Sequence, residues 1–242
     1  MPPTLIHSNV QIPGRGVLIK GFLAYPEGGD RLPGVMIHPG APGLTDEVRG
    51  VAKRIANEGY AALAYDLYSR QPDAPTGAPY MEIVPYYKKI TDGTALMDLG
   101  STMEYFRSLS VIDPDRTGIL GFCSAFPTVF ACHDLRLRAC ISFYNQVYYS
   151  GEANADTAVS PIDRVPSLWC PYQGHYGDND AVIPVDEVNQ MESALKRYGK
   201  QYEMHVYPGA PHGFFSENNY HQPSAELSWS RTLEFLRIHL AG

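Results

Sequence analysis

The segment Thr117-Gly118-Ile119-Leu120-Gly121 is a short apolar run that passes through Phe122-Cys123-Ser124-Ala125 into a second apolar stretch containing Pro127. Such a run is too short for a helix and has the length of a buried strand. Pro127 suits the first turn of a helix, where no internal N–H bond is lost. The join therefore reads as a strand that turns sharply into a helix. A strand buried on both faces belongs to a mostly parallel sheet. The rest of the chain repeats the pattern. Gly34 to His38 is a short apolar run stopped by Pro39-Gly40, and Tyr60 to Tyr65 is a strand ending at Asp66. Ala139 to Tyr144 and Tyr202 to Tyr207 read as strands, and a further one lies within Pro166 to Gly177. Val17 to Tyr25 alternates weakly and reads as an antiparallel edge strand.

Between these runs lie segments of helical period. Asp46 to Glu58 places Val48, Val51, Ala52 and Ile55 on one face and stops at Gly59. Thr94 to Leu109 has a stripe of Leu96, Leu99, Met103 and Phe106. Val185 to Tyr198 turns Val188, Met191 and Leu195 inward. In Ala225 to Leu240 the expected inward stripe is Trp229, Leu233, Leu236 and Leu240. Strands alternating with helices imply an α/β architecture, a mostly parallel sheet covered on both faces. No composition break divides the 242 residues, so 1–242 reads as one domain. Two stretches stand apart. Residues 70–90 carry Pro72, Pro75, Pro79 and Pro85 among tyrosines and read as a surface excursion, a lid over a site. Asn145 to Asp163 reads as irregular and polar.

The sharp turn also selects a nucleophile. In a strand–turn–helix elbow the residues two before and two after the nucleophile must be small. Around Cys123 they are Gly121 and Ala125; around Ser124 they would be Phe122 and Phe126. The spacing chooses the cysteine. The N–H groups at the start of the following helix favour a thiolate there. A thiol nucleophile needs a base, usually an imidazole. Of eight histidines, His212 stands out because Pro208-Gly209-Ala210-Pro211 brings it off a strand end in a loop. His205 lies inside a strand, and His38 ends one. The acid that orients the base belongs between nucleophile and base. Gly177-Asp178-Asn179-Asp180 is a loop in that interval, and locally its two aspartates are equivalent candidates. An oxyanion hole would combine the N–H of Ser124 with one from the turn after His38, where Ala41 is preferred over Gly40.

Together these residues resemble the dienelactone hydrolase (carboxymethylenebutenolidase) family of the α/β-hydrolase superfamily. The likeness rests on Gly59-Tyr60-Ala61-Ala62, Asp66-Leu67-Tyr68-Ser69-Arg70, Gly121-Phe122-Cys123, Asp180-Ala181-Val182-Ile183-Pro184 and Pro211-His212-Gly213-Phe214. The resemblance implies an eight-stranded, mostly parallel sheet and a Cys–His–Asp triad of Cys123, His212 and Asp180. It also decides between the aspartates, because the family's acid stands just before the segment that reads Ala-Val-Ile-Pro. Some positions depart from the pattern. Gly40 stands where the family commonly has a glutamate that meets the cysteine, and Ala125-Phe126 replaces a Gly-Gly pair. The two arginines that bind a substrate carboxylate are missing. One position is Ser216, and residues 80–90 offer only Lys88 and Lys89. A lysine is a point charge rather than a bidentate fork. Tyr80, Tyr86, Tyr87, Tyr144 and Phe126 suggest an aromatic pocket for a less polar substrate.

The expected activity is hydrolysis of a carboxylic ester or lactone through an acyl-enzyme. Alternatives are a non-hydrolytic use of the triad (cyclisation, isomerisation or acyl transfer) and a binding module without catalysis. No histidine/carboxylate cluster has metal-ligand spacing, so neither metal nor organic cofactor is implied. A net charge of -7 without a basic stripe speaks against nucleic acid and anionic membranes. No apolar run reaches the roughly 20 residues of a membrane span. The absence of a basic-then-apolar leader, with four unpaired-looking cysteines, points to the cytoplasm. The expected assembly is a monomer or homodimer.

Overall fold

The structure is a computed structural model that describes residues 3–149 and 159–240. Its strands are β1 (Leu5–Gly14), β2 (Val17–Pro26), β3 (Leu32–His38), β4 (Ala61–Tyr65), β5 (Ile112–Phe122), β6 (Ala139–Phe143), β7 (Tyr172–Gly177) and β8 (Tyr202–Tyr207). They form one sheet in the order β1-β2-β4-β3-β5-β6-β7-β8. The β1–β2 and β2–β4 pairs are antiparallel, and every other pair is parallel.

The helices are α1 (Asp46–Asn57), α2 (Tyr80–Tyr87), α3 (Asp92–Ser108), α4 (Phe126–Ala131), α5 (Val185–Arg197) and α6 (Gln222–Leu240). They lie on both faces because successive strand residues point to opposite sides. On β3, Met36 belongs to the cluster that holds Leu99, Met103 and Phe106 of α3 and Val188, Met191 and Leu195 of α5. Its neighbours Val35 and Ile37 belong to the cluster that holds Val48, Val51 and Ile55 of α1 and Phe235 and Leu236 of α6. Burying each such side chain contributes about 1.5–3 kcal/mol. Helix α1 starts where Thr45 Oγ1 accepts from the Val48 N–H, with Asp46 and Glu47 in its first turn; both features suit a helix N-terminus.

Four sequence expectations are corrected. Val17–Pro26 is not the sheet edge, because β1 pairs with it from Leu5↔Pro26 to Gly14↔Val17 across the Arg15-Gly16 turn. Strand β1 is largely exposed, with Ile12 its one buried residue, and its apolar residues alternate over only Val10-Gln11-Ile12. The excursion 70–90 contains α2, disguised by Pro79 at its N-cap and Pro85 inside it. On α6 Leu236 and Leu240 are buried as expected, but the rest of the buried face includes Ala225, Ser228, Thr232 and Phe235, while Trp229 and Leu233 are only half-buried. Small hydroxyl side chains let the helix lie close to the sheet, and both are satisfied: Ser228 donates to the Ala225 carbonyl, and Thr232 Oγ1 lies 3.1 Å from His175 Nε2. The end of the stretch read as irregular, 161–163, opens the 3₁₀ helix Pro161–Ser167, and residues 150–158 lie outside the described residues.

Candidate active site

At the end of β5 the chain reverses within one residue. Cys123 has φ 60°, a left-handed conformation that side chains other than glycine rarely adopt, and its N–H donates to the Phe143 carbonyl at 3.0 Å. The turn is possible because Gly121 lacks a side chain. A Cβ there would lie 2.1 Å from Pro127 Cγ. Cys123 is partly exposed at the tip, whereas Ser124 is fully buried. Ser124 Oγ accepts from the Tyr87 hydroxyl at 3.0 Å and from the Phe126 N–H at 3.3 Å. The serine is thus a brace for the turn.

The loops after β7 and β8 are stitched together beside this tip. Gly177 lets the β8 loop approach, since a Cβ there would fall 2.0 Å from the Ala210 carbonyl oxygen. The Asn179 N–H donates to that same oxygen at 3.2 Å. Asp178 Oδ1 accepts from the Gly209 N–H at 2.6 Å. Asp180, buried, faces the other way. Its Oδ1 accepts from the N–H groups of Val182 and Ile183 at 2.7 and 2.8 Å, and its Oδ2 lies 2.8 Å from His212 Nδ1. His212 Nε2 in turn lies 3.0 Å from Cys123 Sγ. The two aspartates that local sequence leaves equivalent are therefore distinguished by geometry: Asp178 closes the loop that carries His212, and Asp180 touches His212 itself.

Burial alone would lower the His212 pKa. The hydrogen bonds to Asp180 and Cys123, and the negative charge at both, outweigh it and raise it to about 10. The arrangement favours a protonated imidazole between Asp180 and Cys123. Helix α4, at six residues, adds little dipole of its own. His38 behaves in the opposite way. It is fully buried with Nδ1 2.7 Å from the Tyr65 hydroxyl, and burial lowers its pKa to about 3.

A cavity of about 380 Å³ opens over Cys123 and His212. Gly40 and Ala41 line it, and a Cβ on Gly40 would stand 3.5 Å from Cys123 Cβ. Among the described residues, no backbone carbonyl takes the N–H of Ala41 or of Ser124. The Ala41 carbonyl is held from behind by the Tyr68 hydroxyl at 2.6 Å. Of the expected aromatic residues, Tyr80, Tyr87 and Tyr144 line the cavity. Tyr144 has φ 43°, which sets its ring edge-on to His212 with centroids 5.0 Å apart.

Three expected pocket residues do not line it. Phe126 is buried behind Tyr87, edge-on to His38 at 5.8 Å, because the first turn of α4 points it into the core. Tyr86 sits one position round α2 from Tyr87, about 100° away; its carbonyl accepts from Gln71, and Lys89 lies over its ring. Lys88 is exposed at the C-terminal end of α2. Sequence reading missed Glu47, Gln146, Asn218 and Asn219, which do line the cavity. Ser216 lines it as well, its hydroxyl donating to the Gly213 carbonyl at 2.8 Å.

An eight-stranded, mostly parallel sheet whose strand–turn–helix elbow meets a loop histidine defines an α/β-hydrolase. The profile of the dienelactone hydrolase family matches residues 19–240, and the chain belongs to that family. A crystal structure from Klebsiella pneumoniae subsp. pneumoniae MGH 78578, titled as a putative dienelactone hydrolase, superposes with a TM-score of 0.87 at 30% identity, covering 96% of this chain and 98% of that one. A protein of Escherichia coli (strain K12) named "Putative carboxymethylenebutenolidase" is 31% identical over 232 residues, 93% of this chain and 84% of its own length. A Bradyrhizobium protein named "Probable 2-oxo-3-(5-oxofuran-2-ylidene)propanoate lactonase" is 29% identical over 238 residues, covering 96% and 94% respectively. The chain is a hydrolase of this family. No helix among the described residues is long and apolar enough to cross a membrane.

Proposed function

We propose that the protein hydrolyses a carboxylic ester or lactone by covalent catalysis at Cys123, with His212 as acid and base and Asp180 as its orienting acid. The observation that carries this reading is the continuous contact from Asp180 Oδ2 through His212 to Cys123 Sγ, 2.8 Å and 3.0 Å, at the floor of an open cavity. The thiolate attacks the carbonyl carbon, a C–S bond forms, and the carbonyl electron pair moves onto oxygen. The N–H groups of Ser124 and Ala41 hold that oxyanion, with Gly40 leaving room for it. Collapse expels the alkoxide, which takes the proton from His212. Water then gives a proton to His212 and attacks the thioester, and collapse releases the acid and restores the thiolate. Asp180 fixes the tautomer with the proton on Nδ1 and stabilises the imidazolium.

The test is mass spectrometry of the intact protein mixed rapidly with an uncharged aryl ester. The expected result is a transient acyl adduct on Cys123 with release of the phenol, both absent in Cys123→Ala. Phenol release that persists in Cys123→Ala would overturn the assignment.

A further inference from the structure

The cavity carries a charge pattern that the triad does not use. Its lining includes Glu47 and, among the described residues, neither a lysine nor an arginine. Glu47 sits in the first turn of α1, half-buried. Its Oε1 accepts from the Glu217 N–H at 3.0 Å, which ties α1 to the segment that follows the His212 loop. The rings of Tyr80, Tyr87, Tyr144, Phe122 and Phe215 line the same cavity. A carboxylate that shares a partly dehydrated space with aromatic rings attracts a cation or an N–H donor and repels an anion.

We propose that Glu47 is a specificity residue: it selects esters or lactones whose leaving or acyl part bears an ammonium or other N–H donor, and it rejects substrates with a free carboxylate. This rests on the hydrolase reading of the same site. Burial pushes the Glu47 carboxyl up, the Glu217 N–H pulls it down, and the Glu217 charge adds a smaller upward push.

The experiment measures the potential at Cys123 without requiring turnover. Three methanethiosulfonates are used: the cationic trimethylammonioethyl and anionic sulfonatoethyl reagents, of similar size, and the smaller neutral methyl reagent as a measure of uncharged access. In each case the Cys123 thiolate attacks the sulfenyl sulfur, a disulfide forms and methanesulfinate leaves. Rates are followed by intact mass and normalised to a small free thiol. For the native protein the cationic reagent should exceed the anionic one by about tenfold, the scale expected for one partly screened charge within a cavity. Glu47→Gln keeps an acceptor for the Glu217 N–H but removes the charge, and should bring the ratio to within about threefold of unity. Glu47→Lys should reverse it. A ratio unchanged by both substitutions, in proteins with native melting curves, overturns the proposal. A second arm compares kcat/KM for matched aryl esters bearing an ammonium, no charge or a carboxylate. If the thiosulfonate ratios move as stated and no ester is turned over, the charge selection stands and the hydrolase reading fails. If esters are cleaved with no charge preference in either arm, the hydrolase reading stands and this proposal fails.

Discussion

Replacing Asp180 by asparagine isolates what the acid contributes. The His212 pKa is raised from 6.5 to about 10 against the opposing effect of burial. At 1.36 kcal/mol per unit, the net shift is roughly 5 kcal/mol in favour of the imidazolium after the cost of burial. Losing the hydrogen bond from the charged imidazole to Asp180 costs about 1.5–3 kcal/mol, or on the order of 10–10² in the protonated form. The asparagine oxygen can keep the bonds from Val182 and Ile183, since Oδ1 receives both. Its NH₂ would then face His212 Nδ1 and place the imidazole proton on Nε2, where it cannot accept the thiol proton. Together these effects predict a loss of about 10³–10⁴ in kcat, comparable to the roughly 10⁴-fold loss on amidation of a serine-protease triad aspartate. Asp178→Asn keeps an oxygen for the Gly209 N–H and should cost less than about tenfold, a lost neutral bond being worth about 1 kcal/mol. The assay is steady-state hydrolysis of an uncharged aryl ester, with melting curves to confirm the fold. An Asp180→Asn loss below tenfold, or a larger loss in Asp178→Asn, would refute the reasoning.

Brief iodoacetamide treatment should alkylate Cys123 well before Cys132, Cys140 and Cys170, which are buried and whose thiols burial pushes up; peptide mass spectrometry reads the order. Gly121→Ala should cost about 3 kcal/mol or more in urea unfolding, because its Cβ would meet Pro127 Cγ at 2.1 Å. Gly40→Ala, with 3.5 Å to Cys123 Cβ, should melt normally yet lose turnover by crowding the oxyanion. His38 has a folded pKa lowered to about 3 from 6.5. The unfolded chain therefore binds the extra proton between these values, and stability falls as pH drops through that window by up to about 1.4 kcal/mol per unit. His38→Asn should flatten this dependence in urea titrations at pH 7, 6 and 5; an unchanged slope would contradict it.

The parts legible in the sequence were those with a local rule. Small residues on either side of Cys123 mark the elbow, and helical period marked the buried faces of α1 and α5. Family resemblance was needed for Asp180, because two aspartates in one turn differ only in where the chain carries them. Strand β1 escaped because its pairing partner, not its own short alternation, makes it a strand. Helix α2 escaped behind its prolines. Glu47 reads locally as an ordinary acidic residue at a helix start, and only the tertiary fold turns it to the cavity. Phe126 was misplaced for the converse reason: a large apolar residue beside the nucleophile reads as pocket, but the helix turn sends it into the core.

The bond from the Tyr87 hydroxyl to Ser124 Oγ joins the cavity wall to the turn that holds Cys123. Helix α2 and the elbow are thus mechanically one piece at that point. Swinging α2 outward to admit a bulkier molecule would release Ser124, whose N–H is proposed to hold the oxyanion. Remodelling this protein through Tyr87 would therefore change what it accepts and how fast it reacts together. Tyr80, on the same helix and 58% exposed, lines the cavity with no hydrogen bond to the elbow among the described residues, so a change there acts on the cavity wall without cutting the Tyr87–Ser124 link.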